Sequence, residues 1–253
     1  MDIVIIGSGN VAAVLGRKFK AAGHHIIQIF SRNAKAASEL AYEWDTESTN
    51  YKSTISKTAD VYIIAISDAA IEEIIIDLKL PGKVVAHTAA SVPKEVLKKV
   101  TEHYGVFYPL QSLRKEMINL PEVPVFFDGS DEKTKQVLGL LAKSISNENV
   151  SMVTDEDRVK LHVAAVLVSN FTNHLYCLAE EYCKKEGLDF MQLLPLIEET
   201  AMRIKTVLPS QVQTGPAMRN DKETIQKHLA MLEKHPEIKK VYEQLTESIQ
   251  LMK

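Results

Sequence analysis

Near its N terminus the chain reads Gly7-Ser8-Gly9-Asn10-Val11-Ala12, two glycines and a small residue at a spacing that can carry an anion. The apolar run Ile3-Val4-Ile5-Ile6 leads into it and a helical pattern leads away, the strand-turn-helix setting that this fingerprint needs. Gly7 permits the tight turn, Gly9 lets a pyrophosphate approach the backbone, and Ala12 allows the helix to pack on the strand. Amide hydrogens at the helix start then face the anion, where the helix dipole also favours it. A glycine turn can follow a strand for structural reasons alone, yet the context predicts that Gly7, Ser8, Gly9, Asn10 and Val11 cradle a dinucleotide.

A site that selects NAD carries Asp or Glu at the end of the second strand, about 20 residues beyond the glycines, where it bonds the ribose hydroxyls. Phe30-Ser31-Arg32-Asn33 stands there instead. A guanidinium beside a hydroxyl suits a ribose 2′-phosphate, so Ser31 and Arg32 predict NADP, as NADPH, in preference to NAD, with Asn33 assisting. The plainer alternative makes Arg32 a surface cation at a helix start. Ile66-Ser67-Asp68 and His87-Thr88 fall at strand C-termini, where ligands bind in open α/β sheets. Ile66, Ser67, His87 and Thr88 are therefore further cofactor candidates, while Asp68 reads better as a helix cap.

Candidates for work on a substrate lie beyond residue 150. His162, Ser169 and Asn173 are separated by seven and four residues, which at about 100° per residue puts them on one helix face, with Asn170 beside it. Val163, Ala164, Val166, Leu167 and Val168 surround them, and polar groups among apolar ones need partners, such as a substrate or the cofactor amide. His162 has the ordinary pKa best placed to donate a proton near neutrality. We therefore read His162, Asn170 and Asn173 as catalytic and Ser169 as substrate-binding, with Lys160, off this stripe, as second candidate donor. The alternative is that His162 and Asn173 bond other helices across a dimer core. Arg219 follows the Gly215-Pro216 turn and suits a substrate carboxylate or phosphate, or else a salt bridge to nearby acids. Asp221 reads as a cap and His228 as a core or surface histidine. No histidine has metal-ligand spacing to another His, Cys or carboxylate, so no metal site is expected.

The elements that must position these residues follow from periodicity. Strands are expected at 2–6, 26–30, 61–66, 83–87, 105–108 and 124–127, and their continuous hydrophobicity means that both faces are covered. Helices are expected at 10–22, 34–43, 69–78, 93–103 and 131–144, the last capped by the Asp128-Gly129-Ser130 cluster. Beyond residue 150 the pattern turns helical: a long helix from Thr154, with Asp157 as a variant capping box, to about Lys185 and Gly187, then 189–206, 222–233 and 236–251. The fold class is thus an α/β Rossmann domain, a doubly wound and mainly parallel sheet over 1–152, followed by an all-α domain over 153–253.

Of the 253 residues 45% are hydrophobic and 25% charged, an ordinary globular balance. A net charge of −3 offers no electrostatic reason for a nucleic-acid or anionic-membrane partner, which leaves a small-molecule substrate. No apolar run reaches the roughly 18 residues of a membrane span and the first residues lack a signal pattern, so a cytoplasmic location is expected. The two cysteines, Cys177 and Cys183, read as buried thiols. The long helix is apolar over much of its circumference, with Val163, Phe171, Leu175 and Leu178 among others, which predicts a homodimer that covers it.

Taken together, the Gly7 to Ala12 turn, the Ser31-Arg32 pair, the stretch from Ala59 to Asp68 and Val85-Ala86-His87-Thr88 resemble pyrroline-carboxylate reductases and ketopantoate reductases. Tyr108-Pro109-Leu110-Gln111-Ser112, the stretch from His162 to Asn170 and that from Thr214 to Asp221 narrow the resemblance. They are similar to Rossmann-like oxidoreductases carrying the helical domain of unknown function 2520, over nearly the whole chain. The resemblance implies NADP binding, a 6-phosphogluconate-dehydrogenase-like helical domain that dimerises, and reduction of a small 2-oxoacid or imine, ketopantoate-like acids included. Gln111, within a matching stretch, joins Ser169 and Arg219 as a substrate contact. Three positions depart from the family pattern: Tyr108 replaces a usual His, Ala89-Ala90 a common Ser-Gly, and Asn220 a Gly. A dinucleotide sensor without turnover is the competing class, because a fold does not determine function.

Overall fold

The computed structural model describes residues 1–117, 119–146 and 149–252. Packing divides the chain into two units, Met1–Val168 and Ser169–Lys253.

The first unit is built on an eight-stranded sheet that begins with β1 (Asp2–Ile6), an interior strand. The chain continues through α1 (Asn10–Ala21), β2 (His25–Phe30), α2 (Ala34–Trp44), β3 (Glu47–Thr49), β4 (Val61–Ile64) and α3 (Ile71–Ile75). It then forms β5 (Val84–His87), β6 (His103–Pro109), β7 (Val125–Gly129), α4 (Glu132–Ile145), β8 (Val150–Met152) and α5 (Asp155–Ala165). The strand order is β3-β2-β1-β4-β5-β6-β7-β8, and only the β6 and β7 pair is antiparallel. This is the doubly wound, mainly parallel arrangement expected from the sequence. The chain reverses its direction of winding at β1 and β4, which opens a crevice at their C-terminal ends.

Alternate side chains of β1 enter opposite cores, which is why its hydrophobicity is unbroken. Ile3 and Ile5 pack with Ala12, Leu15 and Phe19 of α1 and with Leu138 and Leu141 of α4. Val4 and Ile6 pack with Tyr62, Ile64, Ile71 and Leu97 on the other face.

Several elements differ from expectation. The edge strands β3 and β8 are three residues each, largely polar or exposed, and so carry no hydrophobic run to announce them. The helix expected at 93–103 is a 3-10 segment, Lys94–Lys99, and that at 69–78 is a 3-10 turn, Asp68–Ala70, leading into the short α3. Asp77, at φ +64, and Pro81 oppose continuation of the second. Asp131, rather than the preceding cluster, caps α4 by accepting from Thr134 N at 2.9 Å. Thr154 caps α5 as expected, its hydroxyl oxygen accepting from Asp157 N at 3.1 Å.

The expected long helix contains a π-helical segment, Val166–Phe171, between α5 and α6 (Thr172–Glu186). Gly187, at φ +70, ends α6 in the left-handed region. A 3-10 turn, Phe190–Leu193, then precedes α7 (Leu194–Arg203), α8 (Pro216–Arg219), α9 (Lys222–Met231) and α10 (Pro236–Leu251). Among the described residues of this second unit only Cys183, Ala217, Leu232 and His235 are buried. Cys177 is exposed, contrary to the buried thiol expected there.

Candidate functional site

The turn after β1 is shaped by two glycines with different physical roles. Gly7 has φ +131, and a Cβ added to it would lie 2.1 Å from the Ala65 carbonyl oxygen, so the fold itself requires glycine. Gly9 has φ −82, open to any residue, and a Cβ added there would meet nothing within 4 Å. Here the missing side chain leaves empty space, which a bound group can use. Gly9 is also the N-cap of α1 and supplies no side chain to the first amides, so the helix start keeps donors for an anion.

That space belongs to a cavity of about 700 Å³ at the C-terminal ends of β1, β2 and β4. Gly7, Ser8, Gly9, Asn10, Val11, Ser31, Arg32, Ile66 and Ser67 all line it, so nine residues chosen from the sequence converge on one wall. The Ser31 hydroxyl lies 2.8 Å from that of Ser8 and accepts from Asn33 N at 3.2 Å. Asn33 also caps α2 by accepting from Ala36 N at 3.0 Å. Arg32 Nη1 donates to Glu73 Oε2 at 2.8 Å.

Asn50, Tyr51, Lys52 and Glu73 also line the cavity, and sequence reasoning missed them. The first three follow the unannounced β3, which pairs in parallel with β2 and so carries them toward Ser31 and Arg32. Recognition of that edge strand was the signal needed.

His87 and Thr88 lie outside the lining. The His87 ring is fully buried, its Nδ1 accepting from Ala89 N at 3.2 Å and its Nε2–H donating to the Pro93 carbonyl at 3.4 Å. Burial pushes its pKa down to about 4, with the nearby Arg158 charge acting in the same direction. Thr88 donates to the Ile64 carbonyl at 3.5 Å. Asp68, expected as a cap, instead accepts from the Ser91 hydroxyl at 2.6 Å, tying the loops after β4 and β5 together.

Arg158 of α5 is 1% exposed and fixes the same loop, with Nε donating to the Ala90 carbonyl at 2.9 Å and Nη2 to that of Val92 at 2.6 Å. Its Nη1 pairs with Asp155. Burial opposes ionisation of Asp155, but the Arg158 and Lys94 contacts prevail and hold its carboxyl below the usual range. Lys94 Nζ is 2.7 Å from Asp128.

At the end of β6, Tyr108 is 7% exposed and its Oη lies 3.0 Å from Nδ1 of His162, the phenol oxygen accepting where Nδ1 carries a hydrogen, as in the imidazolium, and the phenol donating where it does not. Burial raises the phenol pKa above its ordinary value, Arg158 opposing and Asp68 adding to the rise. His162 itself is exposed on α5. Lys160, the second candidate donor, pairs with Glu156 at 2.7 Å on an exposed face. Gln111 is exposed and engaged locally, donating to the Glu122 carbonyl at 3.3 Å.

In the second unit Ser169 and Asn170 lie in the π-helical segment and Asn173 in the first turn of α6, where its Nδ2 is 3.8 Å from Cys177 Sγ. A π turn holds an extra residue, so the spacing of about 100° per residue does not carry across from His162 to Asn173. Arg219 is exposed at the end of α8, and Asp221 caps α9, accepting from Thr224 N at 3.1 Å. His228 Nδ1 lies 2.8 Å from Tyr242 Oη. Among the described residues no group of three or more His, Cys, Asp or Glu could hold a metal, and no helix is long and apolar enough to cross a membrane.

The strand order, the glycine turn and the cavity at the strand C-termini define the dinucleotide-binding Rossmann class, and residues 2–91 match the model described as NADP oxidoreductase, coenzyme F420-dependent, a match that assigns the chain to the oxidoreductases. Residues 123–249 match the Domain of unknown function (DUF2520), and the chain belongs to that family. A candidate NADP oxidoreductase from Bacteroides fragilis is 37% identical, with 98% of this chain and 97% of that chain covered and a TM-score of 0.89. Two more distant structures share the fold. An imine reductase from Myxococcus stipitatus in complex with NADP+ is 13% identical, with 99% and 92% covered and a TM-score of 0.67. A 1-pyrroline-5-carboxylate reductase from Streptococcus pyogenes is 14% identical, with 99% and 98% covered and a TM-score of 0.63. No curated protein matches the chain.

Proposed function

We propose that this protein transfers a hydride between NADPH and a small 2-oxoacid or imine, ketopantoate-like acids included. The observation that carries the reading is the cavity with open space at Gly9, bounded by the α1 N terminus at one end and by Ser31 and Arg32 at the other. The backbone from Gly7 to Val11 binds the pyrophosphate, and Ser31 with Arg32 holds the ribose 2′-phosphate in preference to the bare hydroxyl of NAD. When bound, the reduced nicotinamide supplies the hydride.

His162 supplies the proton, and the Tyr108 contact indicates how. The donating form is the imidazolium, whose Nδ1–H donates to Tyr108 Oη and goes on doing so after Nε2 gives its proton to an acceptor oxygen or nitrogen. Tyr108 is thus a positioning residue. Arg219 remains our candidate for an anionic substrate group, with Gln111, Ser169, Asn170 and Asn173 as polar contacts. The helical unit exposes Phe171 (56%), Leu196 (63%) and Leu208 (65%), which supports self-association of two chains.

The test is a titration with NADPH and NADH followed by a screen of 2-oxoacids and cyclic imines for loss of NADPH absorbance. Tighter NADPH binding with turnover of a member of either class is expected. Binding without turnover would favour a dinucleotide sensor, and equal affinities would defeat the NADP assignment.

A further inference from the structure

The adenosine end of the cavity holds three charged side chains, of which the reading above uses one. Lys52 comes from the loop after β3, Arg32 from the end of β2 and Glu73 from α3, and all three line the cavity. Arg32 Nη1 donates to Glu73 Oε2 at 2.8 Å, while Lys52 Nζ donates to the backbone carbonyl of the same residue at 3.0 Å. One residue therefore gathers two cations from separate chain segments onto a single wall.

The Arg32–Glu73 pair is open to water, its side chains 65% and 61% exposed. An exposed pair of this kind contributes little to stability, so a stronger anion displaces the carboxylate at little cost. A phosphate monoester is such an anion, with a charge of about −1.5 to −2 near neutrality and three acceptor oxygens. Those oxygens can take a guanidinium fork and an ammonium together.

Resting on the NADP reading above, we propose that Lys52 is a second cation for the ribose phosphate and that Glu73 is a competing anion, pairing Arg32 until that phosphate arrives. The consequence is a difference in selectivity. Lys52 adds to NADPH affinity alone, and the Glu73 carboxylate subtracts from it alone.

The experiment is calorimetric titration of the full chain with NADPH, NADH, 2′,5′-ADP and 5′-AMP. It compares the unmodified protein with Lys52→Ala, Lys52→Arg, Glu73→Gln, Arg32→Ala and the Arg32→Ala, Glu73→Gln double variant. Lys52→Ala is expected to weaken NADPH and 2′,5′-ADP about tenfold and to leave NADH and 5′-AMP unchanged, with Lys52→Arg restoring the difference. Glu73→Gln is expected to tighten NADPH about threefold, an effect that vanishes once Arg32 is gone. An unchanged NADPH to NADH ratio in Lys52→Ala overturns the role of Lys52. Unchanged or weaker NADPH binding in Glu73→Gln overturns competition. An unchanged ratio in Arg32→Ala overturns instead the underlying NADP reading, and it is distinguishable because Lys52→Ala is scored in a chain that keeps Arg32.

Discussion

Tyr108 Oη and His162 Nδ1, 54 residues apart in sequence, lie 3.0 Å from one another and join the end of a buried strand to an exposed helix face. If the phenol oxygen orients the imidazolium by accepting from Nδ1–H, Tyr108→Phe removes that contact and leaves the proton-donating ring free to turn. The expected outcome is a kcat lowered about tenfold with KM nearly constant, the loss of roughly one hydrogen bond in the transition state. His162→Ala should cost more, about 10²-fold or beyond, the usual range for a general acid. Steady-state NADPH oxidation with a substrate from the screen measures both. Full activity in His162→Ala would remove it as the donor.

The two glycines of the turn should separate folding from binding. Gly7→Ala places a methyl group on the Ala65 carbonyl in a strained backbone region and should lower the melting temperature. A Cβ at Gly9 meets open space, so Gly9→Val should lower the melting temperature less than Gly7→Ala, by no more than the loss of a glycine N-cap, while NADPH and NADH binding both fall at least tenfold. Thermal melts and titrations of the two variants check this, and undiminished binding in Gly9→Val would contradict the cradle.

Much of this was legible in the sequence because β1, β4 and β5 are buried on both faces and therefore carry uninterrupted apolar runs. Gly7 to Val11, Ser31, Arg32, Ile66 and Ser67 could be chosen since a phosphate cradle depends on local spacing. Lys52 and Glu73 could not, because they reach the cavity through a polar edge strand and a short helix without a strong pattern. Arg158 was likewise hidden: it sits among Asp155, Glu156 and Asp157 in a segment that reads as solvated, and only tertiary packing buries it under Ala90 and Val92. The π-helical segment at Val166–Phe171 has no sequence signature here, so the expected polar stripe rested on a uniform helix that the chain does not form.

The helical unit buries few side chains and leaves Phe171, Leu175 and Leu196 at 56%, 38% and 63% exposure. Light scattering at micromolar concentration should therefore give twice the chain mass. Phe171→Asp combined with Leu175→Asp should shift the protein toward monomer if that face takes part, since a buried unpaired carboxylate is costly. A monomeric unmodified protein would defeat the proposed homodimer.

His87 gives the fold a pH dependence whose sign can be worked out. Its ring is buried and committed as a neutral tautomer, with Nδ1 accepting from Ala89 N and Nε2–H donating to the Pro93 carbonyl. Folding lowers its pKa from the ordinary 6.5 to about 4, chiefly by burial and secondarily through Arg158. Between those values the unfolded chain binds the proton and the folded chain does not, so stability is fully present above pH 6.5 and is lost as pH falls toward 4. The loss amounts to at most about 3 kcal/mol. Asp131 and Asp155 also have lowered values and lose stability on acidification, but only as pH falls below the ordinary 3.8 of an unfolded Asp, which is a separate window. Urea unfolding at pH 7.5, 5.5 and 4.5 should therefore show the midpoint falling with acidity in the unmodified protein and a flatter course in His87→Gln, even if that variant starts from a lower midpoint. Parallel slopes in the two proteins would show that His87 does not set the acid sensitivity of this loop.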